Sequence, residues 1–170
     1  MTILALDLAT KVGWAVAPAP YQLAPTALEI ASGMEPPKRI SGTKPFGSLS
    51  GQYHMMMAGF HRWLDDMAMV HTPDLIVYEA PLPHQSNPKV ARIALGMAAI
   101  TEMTAGERQI RIFELHNARL KKYATGNGGV KKEAMMRAAR DRGWKFGDDN
   151  ECDALWLADY GCHCMLASVR

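Results

Sequence analysis

Two short apolar runs in this chain each end on a carboxylate, and this pattern constrains the fold more than any other feature. Ile3-Leu4-Ala5-Leu6 runs into Asp7, and Leu75-Ile76-Val77-Tyr78 runs into Glu79. A short, uninterrupted apolar run bounded by turn-forming residues reads as a strand buried inside a sheet that other layers cover. A lone carboxylate at the end of such a strand is unfavourable to bury. Both acids therefore call for a reason.

The rest of the chain supplies the layers. Residues 13–16 and 27–32 read as two further strands, with a Pro-rich hairpin loop over 18–25 between them. Residues 34–47, rich in proline, glycine and basic side chains, read as an exposed loop. Ser48 can cap a helix in which Tyr53, Met56, Met57, Phe60, Leu64 and Met67 recur at helical spacing. Its methionine stripe is core packing. Thr72-Pro73-Asp74 ends that helix, and Asn87-Pro88 opens another with Val90, Ile93, Ala94, Met97 and Ile100 along one face. A strand over 110–115, a basic helix over 130–142 ended by Gly143, and a last helix over about 150–167 complete the chain. An antiparallel start followed by alternating elements predicts an α/β fold: a mixed five-stranded sheet with helices on both faces. Neither a linker nor an internal repeat is visible, so residues 1–170 are expected to form one domain.

Composition narrows the class. With 170 residues, 48% hydrophobic and 21% charged, the chain can bury a core and is not expected to be disordered. No apolar run reaches the roughly 18 residues of a membrane span. The N-terminus enters its first strand without a basic region or cleavage site, so no signal peptide and a cytoplasmic location are expected. Three cysteines suit reduced thiols, and Cys162-His163-Cys164 is too tightly spaced, with no second ligand pair, for structural zinc. The net charge of +2 is unevenly spread: residues 108–145 hold 11 Lys/Arg against 3 Asp/Glu, and Asp148, Asp149, Glu151, Asp153 and Asp159 follow at once. A basic block of this kind suits phosphate binding or a solvated helix face.

Asp149 and Asp153 lie four apart at the start of the last helix, so one face can carry both. Taken singly, Asp7 also suits a turn, Glu79 a solvent-facing strand end, and Asp148, Asp149 or Asn150 a helix cap. Taken together, two strand-end acids and a helix-start acid point to a cation. Their hard oxygens suit Mg²⁺ or Mn²⁺. Two such ions about 4 Å apart activate a water and stabilise the leaving oxygen of a phosphodiester. A nuclease thus accounts for the acids and the basic block at once.

At this point the sequence resembles the RuvC-type Holliday junction resolvases, and the resemblance spans nearly the whole chain. Leu4-Ala5-Leu6-Asp7-Leu8 with Gly13-Trp14-Ala15-Val16 is similar to the family's first strand and hairpin. Asp74-Leu75-Ile76-Val77-Tyr78-Glu79 is similar to its fourth strand and second acid, and Asp149-Asn150-Glu151-Cys152-Asp153-Ala154-Leu155 to its closing acidic motif. The most specific match is Leu120-Lys121-Lys122-Tyr123-Ala124-Thr125-Gly126-Asn127-Gly128 with Lys131-Lys132.

The resemblance implies an RNase H-like fold and a homodimer that nicks four-way DNA junctions in recombination and repair. It makes Asp7, Glu79 and Asp153 metal ligands. It places Lys121 and Lys132 near the scissile phosphate, with Lys122 and Lys131 on the DNA beside them. Gly126 and Gly128 would let the backbone approach DNA closely. Two positions depart from the family pattern. Asn150 stands where members often carry an acid or histidine; Asp149, favoured by the helical face, Glu151, or the Asn150 carbonyl oxygen would substitute. Leu82, between Pro81 and Pro83, stands where some members carry an aromatic wedge. The rival readings are an RNase H-like nuclease for flaps or RNA, and a non-catalytic DNA-binding dimer. An actin-like ATPase would need a second such domain.

Overall fold

The computed structural model describes residues 1–18, 40–47, 51–82 and 87–167. Strand β1 (Thr2–Asp7) lies at the centre of a five-stranded sheet. It pairs antiparallel with β2 (Lys11–Pro18) and parallel with β4 (Leu75–Glu79). Strand β3 (Ile40–Pro45) extends the antiparallel side and β5 (Arg111–Leu115) the parallel side, in the order β3-β2-β1-β4-β5. A mixed five-stranded sheet, as expected from the sequence, is observed among the described residues, with its third strand at Ile40–Pro45.

Alternation along the strands divides the core between the two faces. Ile3, Ala5, Ala15, Leu75 and Val77 pack against α3 (Asn117–Thr125), α4 (Lys132–Asp141) and α5 (Asp149–Ala167), through Leu120, Met135, Ala139, Leu155 and Trp156. Leu4, Leu6, Val12, Ile76 and Tyr78 pack against α1 (Tyr53–His71) and α2 (Pro88–Glu107), through Met57, Phe60, Leu64, Ile93 and Met97. Asn87 caps α2 by accepting from the Lys89 N–H, with Pro88 at its first position, and Thr72 ends α1 in a left-handed conformation. Both helix boundaries are as the sequence indicates.

Two expectations are corrected. The exposed loop predicted over 34–47 contains β3, whose residues are half-buried or exposed and which pairs with β2 alone among the described strands. Such a strand tolerates the lysine and terminal proline that made the segment read as loop. The strand and hairpin loop expected over 27–32 and 18–25 fall almost entirely outside the described residues, apart from Pro18 at the end of β2, and Ser48 also lies outside them. Secondly, among the described residues three helices follow β5, not two. Helix α3 has nine residues, one of them buried (Leu120), and His116 at its N-cap gives no side-chain capping hydrogen bond. So short and polar a helix owes its stability to docking, not to an apolar stripe.

That docking runs through a polar staple. Asp159 on α5 is 7% exposed. It accepts from the Tyr123 hydroxyl of α3 at 2.9 Å and from the Arg142 guanidinium, just past α4, at 2.6 Å. Tyr123 also stacks edge-on against Trp156 and Tyr160. One buried carboxylate thus ties both basic helices to α5. Replacing Asp159 by asparagine keeps the shape and removes the charge. The variant should lose about 2 kcal/mol, the worth of hydrogen bonds to a charged group, read as a lower urea midpoint at an unchanged slope.

Candidate active site

Asp7 and Glu79 stand at the C-terminal ends of neighbouring parallel strands, β1 and β4. The third acid comes from α5. Asp148 caps this helix by accepting from the Glu151 N–H at 3.0 Å, and its carboxylate also pairs with Lys11 of β2. The Asn150 side chain donates to the Lys11 carbonyl oxygen at 2.7 Å. These contacts clamp the first turn of α5 to β2 and bring Asp153, 9% exposed, to the strand ends.

The three acids line one pocket of about 250 Å³. Thr10, Asn117, Lys132 and Asn150 complete its polar side, while Leu8, Pro81, Leu82 and Ile93 belong to its apolar side. Burial, then repulsion from Glu79 and Asp153, hold the Asp7 carboxyl well above its usual range. Burial, then Glu79, push Asp153 up to about 7, against the pull of Lys132. Burial raises Glu79, opposed by a 2.7 Å hydrogen bond from the Asn117 amide and by the charges of Lys132 and Lys121. Asp149 is the exception. Its hydrogen bond from Lys132, at 2.5 Å, holds it below the usual carboxylate value.

No protein-family model matches the chain, and no curated protein matches it in sequence. Solved structures do match. Thermus thermophilus RuvC aligns with a TM-score of 0.73 over 98% of this chain and 97% of its own, at 15% identity. The fold is that of RuvC. The same protein in complex with a Holliday junction substrate gives 0.73 over 99% and 96%, at 17% identity. The yeast mitochondrial Holliday junction resolvase Ydc2 gives 0.64 over 99% and 81%, at 12% identity.

On this RuvC fold the residues singled out in the sequence divide into groups. Asp7, Glu79, Asp153, Lys132 and Asn150 share the pocket. Asp149 adjoins it through Lys132, and Lys121, half-buried on α3, is near enough to act on Glu79 and Asp153 by charge. Glu151 is turned elsewhere, accepting from Ser41 Oγ at 2.8 Å and the Gly147 N–H at 2.7 Å. Lys122 in the last turn of α3, and Gly126, Gly128 and Lys131 along the α3–α4 connection, lie outside the pocket lining. Gly126 ends α3 at a φ of 80°, and a Cβ on Gly128 would stand 2.7 Å from the Ala118 carbonyl oxygen, so both glycines have reasons within the fold. Asn117 was missed. Its signal is positional: β5 pairs Leu115 with Glu79, and Asn117 follows two residues later.

Among the described residues, no group of three or more His, Cys, Asp or Glu side chains stands ready to hold a metal ion. The donor chemistry nevertheless fits a hard divalent cation: carboxylate oxygens from three elements share a pocket and repel one another there. The same repulsion has a consequence for the metal-free protein. An acid whose pKa is raised on folding stabilises the fold below its unfolded value, and that stability is lost as pH rises through its folded value. For Asp153 the window runs from 3.8 to about 7. In chelator, the melting temperature should fall across this range, and Asp153→Asn should flatten the fall. Equal slopes in both proteins would remove Asp153 as its source.

Proposed function

We propose that this chain is a metal-dependent endonuclease that cuts branched DNA, four-way junctions foremost, and acts as a homodimer with its described residues forming one nuclease domain. The observation that carries this reading is the convergence of Asp7, Glu79 and Asp153 with Lys132 in one pocket on a RuvC fold. Asp7, Glu79 and Asp153, with Asp149 as the fourth, would hold Mg²⁺ or Mn²⁺. Cations bound there supply an activated water and charge stabilisation of the leaving oxygen. The chain's own residues do the rest. Asn117 holds the Glu79 carboxylate in place. Lys121 and Lys132 offset phosphate charge at the site, and exposed Lys122 and Lys131 extend the cationic surface along the strand. A symmetric dimer would present two such sites to the two strands of a junction.

Junctions are favoured over flaps by the joint similarity to two junction-resolving proteins. Leu82, 51% exposed and lining the pocket, offers an aliphatic side chain beside the acids. In all described residues, no helix is long and apolar enough to cross a membrane. The decisive assay incubates purified protein with a labelled four-way junction, a flap and a linear duplex, in Mg²⁺, Mn²⁺ or EDTA. Paired, metal-dependent nicks placed symmetrically in the junction are expected. Equal cutting of the flap would broaden the substrate to branched DNA in general. Inactivity on all three would overturn the reading.

A further inference from the structure

Lys132 is a lining residue of the acidic pocket, yet its ammonium is bonded to Asp149, at 2.5 Å, at the pocket's edge. Its charge acts on Asp7, Glu79 and Asp153 as well. One ammonium therefore faces four carboxylates. It is supplied from the first position of α4, a helix anchored by the buried Met135 and Ala139, so its backbone is fixed while its long side chain retains freedom. Asp149 is arranged alike: its backbone is fixed in the first turn of α5, and its side chain is 41% exposed. Both partners can change rotamer without moving a helix.

We propose that Lys132 is the resident counter-ion of the acidic site, and that it exchanges with a divalent cation for the Asp149 carboxylate. In the metal-free protein its ammonium offsets part of the acids' repulsion. When a cation arrives, Lys132 and the cation compete for Asp149. A displaced Lys132 stays at the pocket, free to meet a phosphate oxygen. The exchange explains why Asp149, four residues before Asp153 on one helix face, is not gathered with the other acids. It also makes the basic side chain available for DNA only when the cation is present. This inference rests on the reading that the acids bind a divalent cation.

The test is a titration of Mn²⁺ alone into the metal-free, full-length protein, read by calorimetry and by loss of the free-ion electron paramagnetic resonance signal. Wild type, Lys132→Met and Lys132→Gln are compared, with far-ultraviolet circular dichroism establishing that each is folded. Removing the competing charge-assisted hydrogen bond should tighten Mn²⁺ binding on the order of tenfold in both variants. In chelator the variants should melt below wild type, and saturating Mn²⁺ should close that gap. Variants that bind Mn²⁺ no better than wild type would overturn the exchange while leaving the cation site intact. Absence of Mn²⁺ binding in all three proteins would overturn both the exchange and the cation reading beneath it.

Discussion

Gly13→Ala is expected to disrupt the acidic site and to destabilise the protein by about 3 kcal/mol or more, at the upper end of what overpacking a core produces. Gly13 lies on β2 directly opposite Asp7. A Cβ built there would stand 1.9 Å from the carbonyl oxygen of Asn150 and 2.3 Å from its carbonyl carbon. Both are backbone atoms in the first turn of α5, so no side chain can swing aside. Either β2 buckles or α5 lifts, and lifting α5 carries Asp153 away from Asp7 and Glu79. A misplacement of roughly 1 Å is enough to lower a rate about a hundredfold. Urea unfolding and junction cleavage should therefore fail together. Gly129→Ala is the control, because a Cβ there meets only the Asn127 side chain, at 3.5 Å. A Gly13→Ala protein as stable and active as the Gly129→Ala protein would mean that α5 can settle elsewhere without harm.

Gly13 also marks where the sequence stops being readable. The buried strands were legible because β1 and β4 are covered on both faces, and an interior strand must be written in apolar residues. Helices α1 and α2 were legible because each buries one stripe. The acids were legible for the opposite reason: carboxylates ending such strands contradict their surroundings. β3 could not be read this way, since a strand paired on one described side needs no strict pattern. Nor could α3, which is held by the Tyr123–Asp159 contact with a helix distant in sequence. Choosing among Asp149, Asn150 and Glu151 required the third dimension too. Spacing puts Asp149 on the face of Asp153, but only the fold shows Lys132 holding it, Asn150 bonded to Lys11 and Glu151 turned to Ser41. Asn117 carries no local signal at all, because its role depends on the register between β4 and β5.

Asp7→Asn should separate chemistry from folding more cleanly than any other change. Asp7 ends the central strand and shares the pocket with the two other acids, and an amide there keeps the shape while giving up the charge. Cleavage of a four-way junction should fall by about three orders of magnitude or more, equivalent to several kcal/mol of lost charge stabilisation in the transition state. Binding of the junction, measured in Ca²⁺ or chelator, should remain near wild type, because the cations of α3 and α4 are untouched. Stability should move the other way. Burial and the neighbouring Glu79 and Asp153 disfavour the ionised Asp7 carboxylate. A neutral amide escapes that penalty, so in chelator at alkaline pH the variant should melt at or above the wild-type temperature. On acidification Asp7 takes up its proton and the advantage should vanish. An inactive variant that is also less stable in chelator, and no longer binds the junction, would make Asp7 a structural residue of the sheet and remove it from the proposed cation site.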